Sequence, residues 1–452
     1  MAIPEIHKWR YIFHFTDIRN LDSIIKNGVL CTNDKKEKGI THKNIANATI
    51  QERRAKMDVP IGKKGKVHDY VPFYFSSMNP MLLTLLNHKN VDQNLIIYLC
   101  VKIQRLDDED AVFTDASANT VAPPNFYTET TDLDKLKWDL IDSKKWGGWS
   151  DEDRHRKMAE ALVYKRVDIS DVDAIVVYNE WGKKKVQELF AANGKKAPEI
   201  LFDHAQKIRN YSFYYTKFFF SNRRNDTLVT GPVTLLAEFK ELLASIAKNR
   251  QKPKDSYPYE TPTDLVLAIE KDFAILPELK AIIGLQQDYA PHNDMVDVHT
   301  RAVVTEMKQT AYYQASSDEL RSVLELAAYL HDIGKGPKEQ WKEGKMTSSY
   351  PDHPADAIPM LKRILSDEVK EITEDEIRRL CIMVVYHDII GECMEKDRDK
   401  QQIVDLIGNE DDLDMLFAIS IADAKAVNGF WGRKIVARQS SLRKEILKLK
   451  NV

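Results

Sequence analysis

The segment DELRSVLELAAYLHDIG, residues 318–334, restricts the C-terminal half of this chain more than any other stretch. Leu320, Val323, Leu324 and Ala327 share one helical face, and four further residues carry that face to His331. The histidine therefore points inward. In TEDEIRRLCIMVVYHDII the stripe Ile377, Leu380 and Val384 leads in the same way to His387, after Thr373 and Glu376 at capping-box spacing. Leu416 and Ile419 lead to Asp423, and Met295 and Val296 lead to His299. Four helices are thus expected to aim an ionisable group at one core. Each buried polar group without a partner costs about 1–3 kcal/mol, so such a set must satisfy its own members or a cation. Mixed imidazole and carboxylate donors suit Fe, Mn, Co, Ni or Zn better than calcium.

The texture of the chain changes near its middle. Residues 1–205 mix short apolar runs (YIFHF, VPFYF, NLIIYLCVKI, DAIVVYN) with helical stretches, an α+β pattern, whereas residues 266–452 read as helical almost throughout. Between them, residues 206–265 contain RNYSFYYTKFFFSNRRND and NRQKPKDSYPYETPTD, an aromatic and basic connector with a polar linker. A length of 452 residues fits two or three domains. The net charge of −3 removes any global electrostatic reason for a nucleic-acid partner, which must then rely on a local patch. Cys31, Cys100, Cys381 and Cys393 form no C-x-x-C pair, which argues against a thiolate zinc site and fits a cytoplasmic location. No signal-like stretch or membrane-length apolar run is visible, so no membrane partner is expected.

The C-terminal residues resemble the HD phosphohydrolase superfamily, whose order H…HD…D is matched by His299, His331–Asp332 and Asp423. His353 in SYPDHPADAIPML and His387 stand where the binuclear members carry extra histidines, and the likeness runs from about residue 290 to 430. His292, seven residues before His299, is a rival for the first position. The resemblance implies a divalent metal, attack on a phosphomonoester or phosphodiester by metal-activated water, and Lys335 as a phosphate contact. A solvated lysine after a helix end is the plainer reading of Lys335. Some superfamily members bind nucleotides without turnover.

The first half offers a different set. YIFHFTDIRNLDSIIKNGVL reads as a strand containing His14, then a short helix closed by Asn27–Gly28. DYVPFYFSSMNPMLLTLL reads as a strand that breaks at Asn79–Pro80 into a helix, and Glu160 precedes the strand-like ALVYKRV. Taken singly, His14 could be a packing residue, and the charged neighbourhood of Glu160 points to a solvated side chain. Residues 33–66 hold ten Lys or Arg against four acids, a patch suited to an anionic strand.

In order, the strand histidine, the arginines of IQERRAKMDVP, the block VPFYFSSMNPML and the glutamate of MAEALVYKRVDI resemble the DarT family of nucleic-acid ADP-ribosyltransferases over about 10–200. That resemblance implies cleavage of the nicotinamide–ribose bond of NAD and transfer to a base of single-stranded DNA, with RNA as the alternative acceptor. It implies Glu160 as the catalytic carboxylate, with Arg54 facing the pyrophosphate or transition state and Arg53 as its adjacent rival. His14, Thr16 and Asn20 fall among the NAD contacts, and Tyr74 and Phe75 in the nicotinamide wall. A toxin or phage-defence role and an antitoxin or regulator partner are implied by the family alone. The whole chain then reads as an NAD-consuming transferase followed by an HD domain that hydrolyses or senses a phosphate-bearing ligand, and restrains, reverses or triggers the transferase. The alternative is an HD nucleotide phosphohydrolase whose front domain only binds nucleic acid.

Overall fold

The computed structural model describes residues 3–45, 48–119, 123–145, 147–202, 218–221, 227–254 and 256–450. The chain divides into two compact units, Met1–Asn87 with Val91–Leu228, and His88–Asn90 with Val229–Val452.

Among the described residues ten strands belong to the first unit: β1 Tyr11–Asp17, β2 Val29–Leu30, β3 Tyr70–Tyr74, β4 Ile96–Lys102, β5 Ala111–Thr114, β6 Phe126–Tyr127, β7 Glu160–Tyr164, β8 Arg166–Val167, β9 Ala174–Val176 and β10 Glu199–Leu201. Eight of them form one sheet in the order β10-β9-β4-β1-β3-β7-β5-β6, and β2 pairs with β8. All the ladders in the large sheet are antiparallel except β9–β10. With its helices this is an α/β unit.

The central seam of that sheet is weak. β1 pairs with β4 over seven residues but with β3 only at Phe13↔Tyr74. Pro72 removes one donor from this edge of β3. The Pro72 carbonyl is instead taken by His14, whose Nδ1 donates to it at 2.8 Å. Side chains alternate across the strands, so Ile12, Phe73, Leu99 and Ala161 enter one core, while Phe13, Phe15 and Tyr98 enter another.

Local signals in this half turn out as expected. Helix Leu21–Asn27 ends at Gly28, with φ 77° and its N–H donating to the Ile24 carbonyl at 2.8 Å. A Cβ there would lie 2.7 Å from the Val167 carbonyl oxygen. Asn79 Oδ1 accepts from the Leu82 N–H at 3.0 Å and so starts helix Pro80–Asn87.

The second unit is helical. Helices Val296–Lys308, Asp318–Leu330, His353–Asp367, Glu374–Tyr386 and Glu410–Val427 surround a core that includes Val323, Leu324, Ala327, Leu380, Val384, Leu416 and Ile419, all fully buried. The Thr373–Glu376 capping box is present. Met295 departs from its expected inward stripe and is 43% exposed. It is the extended N-cap of helix Val296–Lys308, where helical phase does not yet apply.

Residues assigned to the connector behave differently from a linker. Helix Pro232–Arg250 buries Leu235, Phe239, Leu242 and Ile246 in the core of the second unit. Its apolar i, i+4, i+7 spacing carries that signal, masked by the charged residues between. Of the aromatic run 209–226, residues 218–221 are described, and Phe218, Phe219 and Phe220 are buried around Tyr98 and Tyr178. The rest of that run lies outside the described residues. Among the described residues no helix is long and apolar enough to cross a membrane.

Candidate active site and candidate metal centre

Glu160 opens β7, directly across from Tyr74 of β3, which lies across from Phe13 of β1. Directly opposed residues face the same side, so Phe13, Tyr74 and Glu160 share one face at the seam. The carboxylate has no exposed surface. Charged neighbours in sequence predict solvation, but the carboxylate is drawn into the sheet by a specific partner. Arg54, on helix Ala48–Lys56, grips it with Nη1 at 2.8 Å from Oε1 and Nη2 at 2.9 Å from Oε2. The Ala118 N–H also donates to Oε1 at 2.9 Å. Burial works against the charge of Arg54, but Glu160 outweighs it and raises the guanidinium pKa. Arg53 is exposed, which separates the two adjacent arginines. Tyr74 stacks on Phe15, with ring centroids 5.8 Å apart, and its phenol is raised by burial and by Glu160.

His14, Thr16 and Asn20 form a second group, on the opposite face by strand alternation. They line a groove that also includes Lys35 and His42. Since His14 Nδ1 carries the proton given to Pro72, its Nε2 is an acceptor. Burial holds its pKa down at about 4, so the ring is neutral near pH 7. Asn20 donates to Thr16 Oγ1 at 3.0 Å and exchanges bonds with the backbone of Lys43. This anchors the basic segment to the groove. Phe75 joins neither group: one residue past β3, it is buried edge-on against Phe113 and Trp138.

In the second unit the inward phases do converge. His299, His331 and Asp332 offer ligand atoms within 4.8 Å of one another, as do Asp332, His353 and His387, and His387, Asp388 and Asp423. His331, His353 and His387 each have Nδ1 against the carbonyl three residues earlier, at 2.8, 2.6 and 2.8 Å. Those bonds leave the Nε2 lone pairs facing inward. His299 reaches Asp423 at 3.0 Å and Asp332 at 3.8 Å. His292 stands outside these groups, its ring 6.1 Å from that of His299. Asp388 was not singled out by helical phase. Its signal is the second His-Asp dipeptide in YHDII, which repeats the pairing of His331–Asp332.

The donor set fits a cation. His353 Nε2 and His387 Nε2 lie 3.0 Å apart, although their Nδ1 atoms already hold the protons. Two lone pairs that close repel unless something positive intervenes. His331 Nε2 and Asp332 Oδ1 are buried with no hydrogen-bond partner. Burial, with Lys335 nearby, lowers the pKa of His353 to about 3, keeping it neutral. Gly334 makes the cluster possible, because a Cβ there would meet the His353 carbonyl oxygen at 1.9 Å. Lys335, read as solvated in the plainer view, is 6% exposed and pairs with Asp332 at 2.6 Å and Gln287 at 3.2 Å. Its charge is fixed beside the carboxylate.

A family model described as "ssDNA thymidine ADP-ribosyltransferase, DarT" matches residues 13–209. A DNA ADP-ribosyl transferase of Thermus aquaticus is 31% identical over 212 residues, covering 46% of this chain and 89% of that protein. A DNA ADP-ribosyl transferase–DNA ADP-ribosyl glycohydrolase fusion protein of Thermosipho africanus is 25% identical over 196 residues, 43% of this chain and 48% of that one. The solved structure of Thermus sp. 2.9 DarT in complex with ADP-ribosylated ssDNA aligns with a TM-score of 0.40 and 29% identity, covering 45% of this chain and 97% of that chain.

Proposed function

The chain belongs, through residues 13–209, to the DarT family of ADP-ribosyltransferases, and we propose on that premise that its first unit transfers ADP-ribose from NAD to a thymine in single-stranded DNA. The observation that carries this reading is the fully buried Glu160 carboxylate, clamped by Arg54 and directly across the strands from Tyr74. In the reaction the bond from ribose C1′ to nicotinamide nitrogen breaks, and its electron pair leaves with nicotinamide. Positive charge grows on the ribose, and a fixed carboxylate in a water-poor site stabilises it. A ring nitrogen of the base attacks C1′ and gives up its proton, for which Glu160 is the general base. The neutral His14, with Nε2 as acceptor, suits a ribose hydroxyl of the dinucleotide, and Thr16 and Asn20 hold the same groove. Arg54 neutralises the pyrophosphate as it shares its charge with Glu160. Incubation with labelled NAD and a thymidine-containing oligonucleotide tests the reading. Label on DNA with the wild type and none with Glu160→Ala supports it, and an unlabelled oligonucleotide with active-length incubation overturns it.

For the second unit we propose an HD-type metal centre that hydrolyses or senses a phosphate-bearing ligand and regulates the transferase. His299, His331, Asp332, His353, His387 and Asp423 would hold a divalent ion, with Asp388 beside them. When bound, such an ion lowers the pKa of water and polarises a phosphoryl oxygen. The unpartnered His331 Nε2 and Asp332 Oδ1 support this reading. Lys335, bonded to Asp332, adds positive charge for a phosphate. Metal analysis of the purified chain and of Asp332→Ala is the test. A metal-free wild type after growth and loading with Fe, Mn, Co, Ni and Zn overturns it.

A further inference from the structure

Residues 286–295 of the second unit fold back on themselves as a short hairpin. Gln286 pairs antiparallel with Met295 and Tyr289 with His292, around Ala290–Pro291, and the Gln287 N–H donates to the Asp294 carbonyl at 3.2 Å. The other edge is held by Lys345–Met346, which lies beside Gln286–Gln287 in parallel register. Alternation puts Gln287 and Tyr289 on one face of the hairpin, and direct opposition adds His292 to it. That face meets the His and Asp cluster. The His292 ring lies 5.1 Å from the Tyr289 ring and 6.1 Å from that of His299. Burial raises the Tyr289 phenol, a shift that Lys335 opposes and that Asp332, Asp388 and Asp423 reinforce, so the ring feels the whole cluster.

Gln287 carries an unanswered donor on this face. Its side chain is 1% exposed, and its Oε1 accepts from the Lys335 ammonium at 3.2 Å and from the Tyr289 hydroxyl at 3.1 Å. A lysine ammonium only donates, which fixes which end of the amide is oxygen. The Nε2 is then left buried with no acceptor. Such a donor costs stability that only a ligand or water can return. A glutamate at this position would hold Lys335 without stranding a donor, so holding Lys335 does not account for the amide. Lys335 is in turn bonded to Asp332 at 2.6 Å, which puts Gln287 two hydrogen bonds from the cluster. The cluster is short of a cation and the hairpin is short of an acceptor. We propose that Gln287 is a binding residue for a phosphoryl oxygen of the ligand at this centre, donating through Nε2 beside Lys335. The inference rests on the metal-centre reading above and adds the residue that selects a phosphoryl group.

Calorimetric titration of the full chain with inorganic phosphate and, separately, with phenyl phosphate tests the contact, each with and without divalent metal. Gln287→Glu keeps an oxygen for Lys335 and Tyr289 but turns the donor into an acceptor, and Gln287→Met removes the donor without adding charge. Both should bind the probes about ten- to hundredfold more weakly than the wild type, the loss of one hydrogen bond to a charged group. Because Nε2 has no partner within the protein, Gln287→Glu without phosphate should melt no lower than the wild type, while the upward shift that phosphate gives the wild type should shrink. A drop for either probe in both variants supports the contact, and the probe held more tightly by the wild type tells free phosphate from an ester. Wild-type affinity in Gln287→Met overturns the inference, since a loss confined to Gln287→Glu is an effect of charge on Lys335. A wild type that binds neither probe, with or without metal, overturns it as well. A chain that binds phosphate through Gln287 yet takes up no metal overturns the metal-centre reading and leaves the phosphoryl contact standing.

Discussion

Glu160 and Asp332 are both carboxylates with almost no exposed surface, 0% and 1%, yet their surroundings treat them in opposite ways. Both oxygens of Glu160 are answered within the protein, by the Arg54 fork and the Ala118 N–H. Asp332 has Lys335 on Oδ2, while Oδ1 lacks a donor and faces His353 Nε2, a lone pair, at 3.3 Å. The first site is balanced within the protein itself. The second is short of one positive partner. An internally balanced carboxylate is what the proposed transferase reading needs, and an unsatisfied cluster is what the proposed metal centre needs.

The comparison breaks most easily at Glu160. Glu160→Gln keeps the shape but removes the charge, and transfer to DNA should fall by about 10²–10³-fold or more, measured as initial rate at saturating NAD. An unchanged rate would leave Glu160 a structural group only. Next in size is the stability of the pair. Arg54→Met leaves a buried carboxylate unpaired and should cost about 3–5 kcal/mol in urea denaturation, whereas Arg53→Met at an exposed position should stay within about 0.5 kcal/mol. Equal effects would show that Arg54 is no special partner.

The second site should respond to metal. A divalent ion at about a hundred times its dissociation constant should stabilise the unit by about 2.7 kcal/mol, read as a shift in the unfolding midpoint. Gly334→Ala, by pushing the HDIG turn away from His353, should weaken metal affinity about 10–100-fold. Metal affinity unaffected by that change would separate the glycine from the cluster. The smallest effect concerns His14, which is only half-buried at its groove. Its folded pKa of about 4 lies below the ordinary 6.5, so the unfolded chain takes a proton that the folded ring refuses. Its contribution is therefore full above about pH 6.5 and is lost as pH falls towards 4. His14→Gln should flatten that part of a stability-against-pH curve, and an identical curve would show the ring to be freely solvated.

Much of the second site was legible because helical phase is a long-range ruler. Counting four from Ala327 and Ile419, and three from Val384, locates His331, Asp423 and His387 without knowing how the helices pack. The same ruler misplaced Met295, because a cap residue precedes the helix, and passed over Asp388, which follows a helix end. In the first unit, strand alternation could place Glu160 next to Tyr74 only after the register was known. The family motif pointed to Glu160 and to Arg54, with Arg53 as the adjacent rival, and the burial of Arg54 beside the exposed Arg53 supports that choice. The motif also grouped Tyr74 with Phe75. Consecutive residues at a strand end point to opposite faces, and only Tyr74 meets Glu160.

The most direct measurement of the central claim is the intact mass of a single-stranded, thymidine-containing oligonucleotide after incubation with the purified chain and NAD. A species heavier by one ADP-ribosyl group is expected with the wild type and none with Glu160→Gln. An oligonucleotide of unchanged mass with the wild type, or the same modified species with Glu160→Gln, would contradict it.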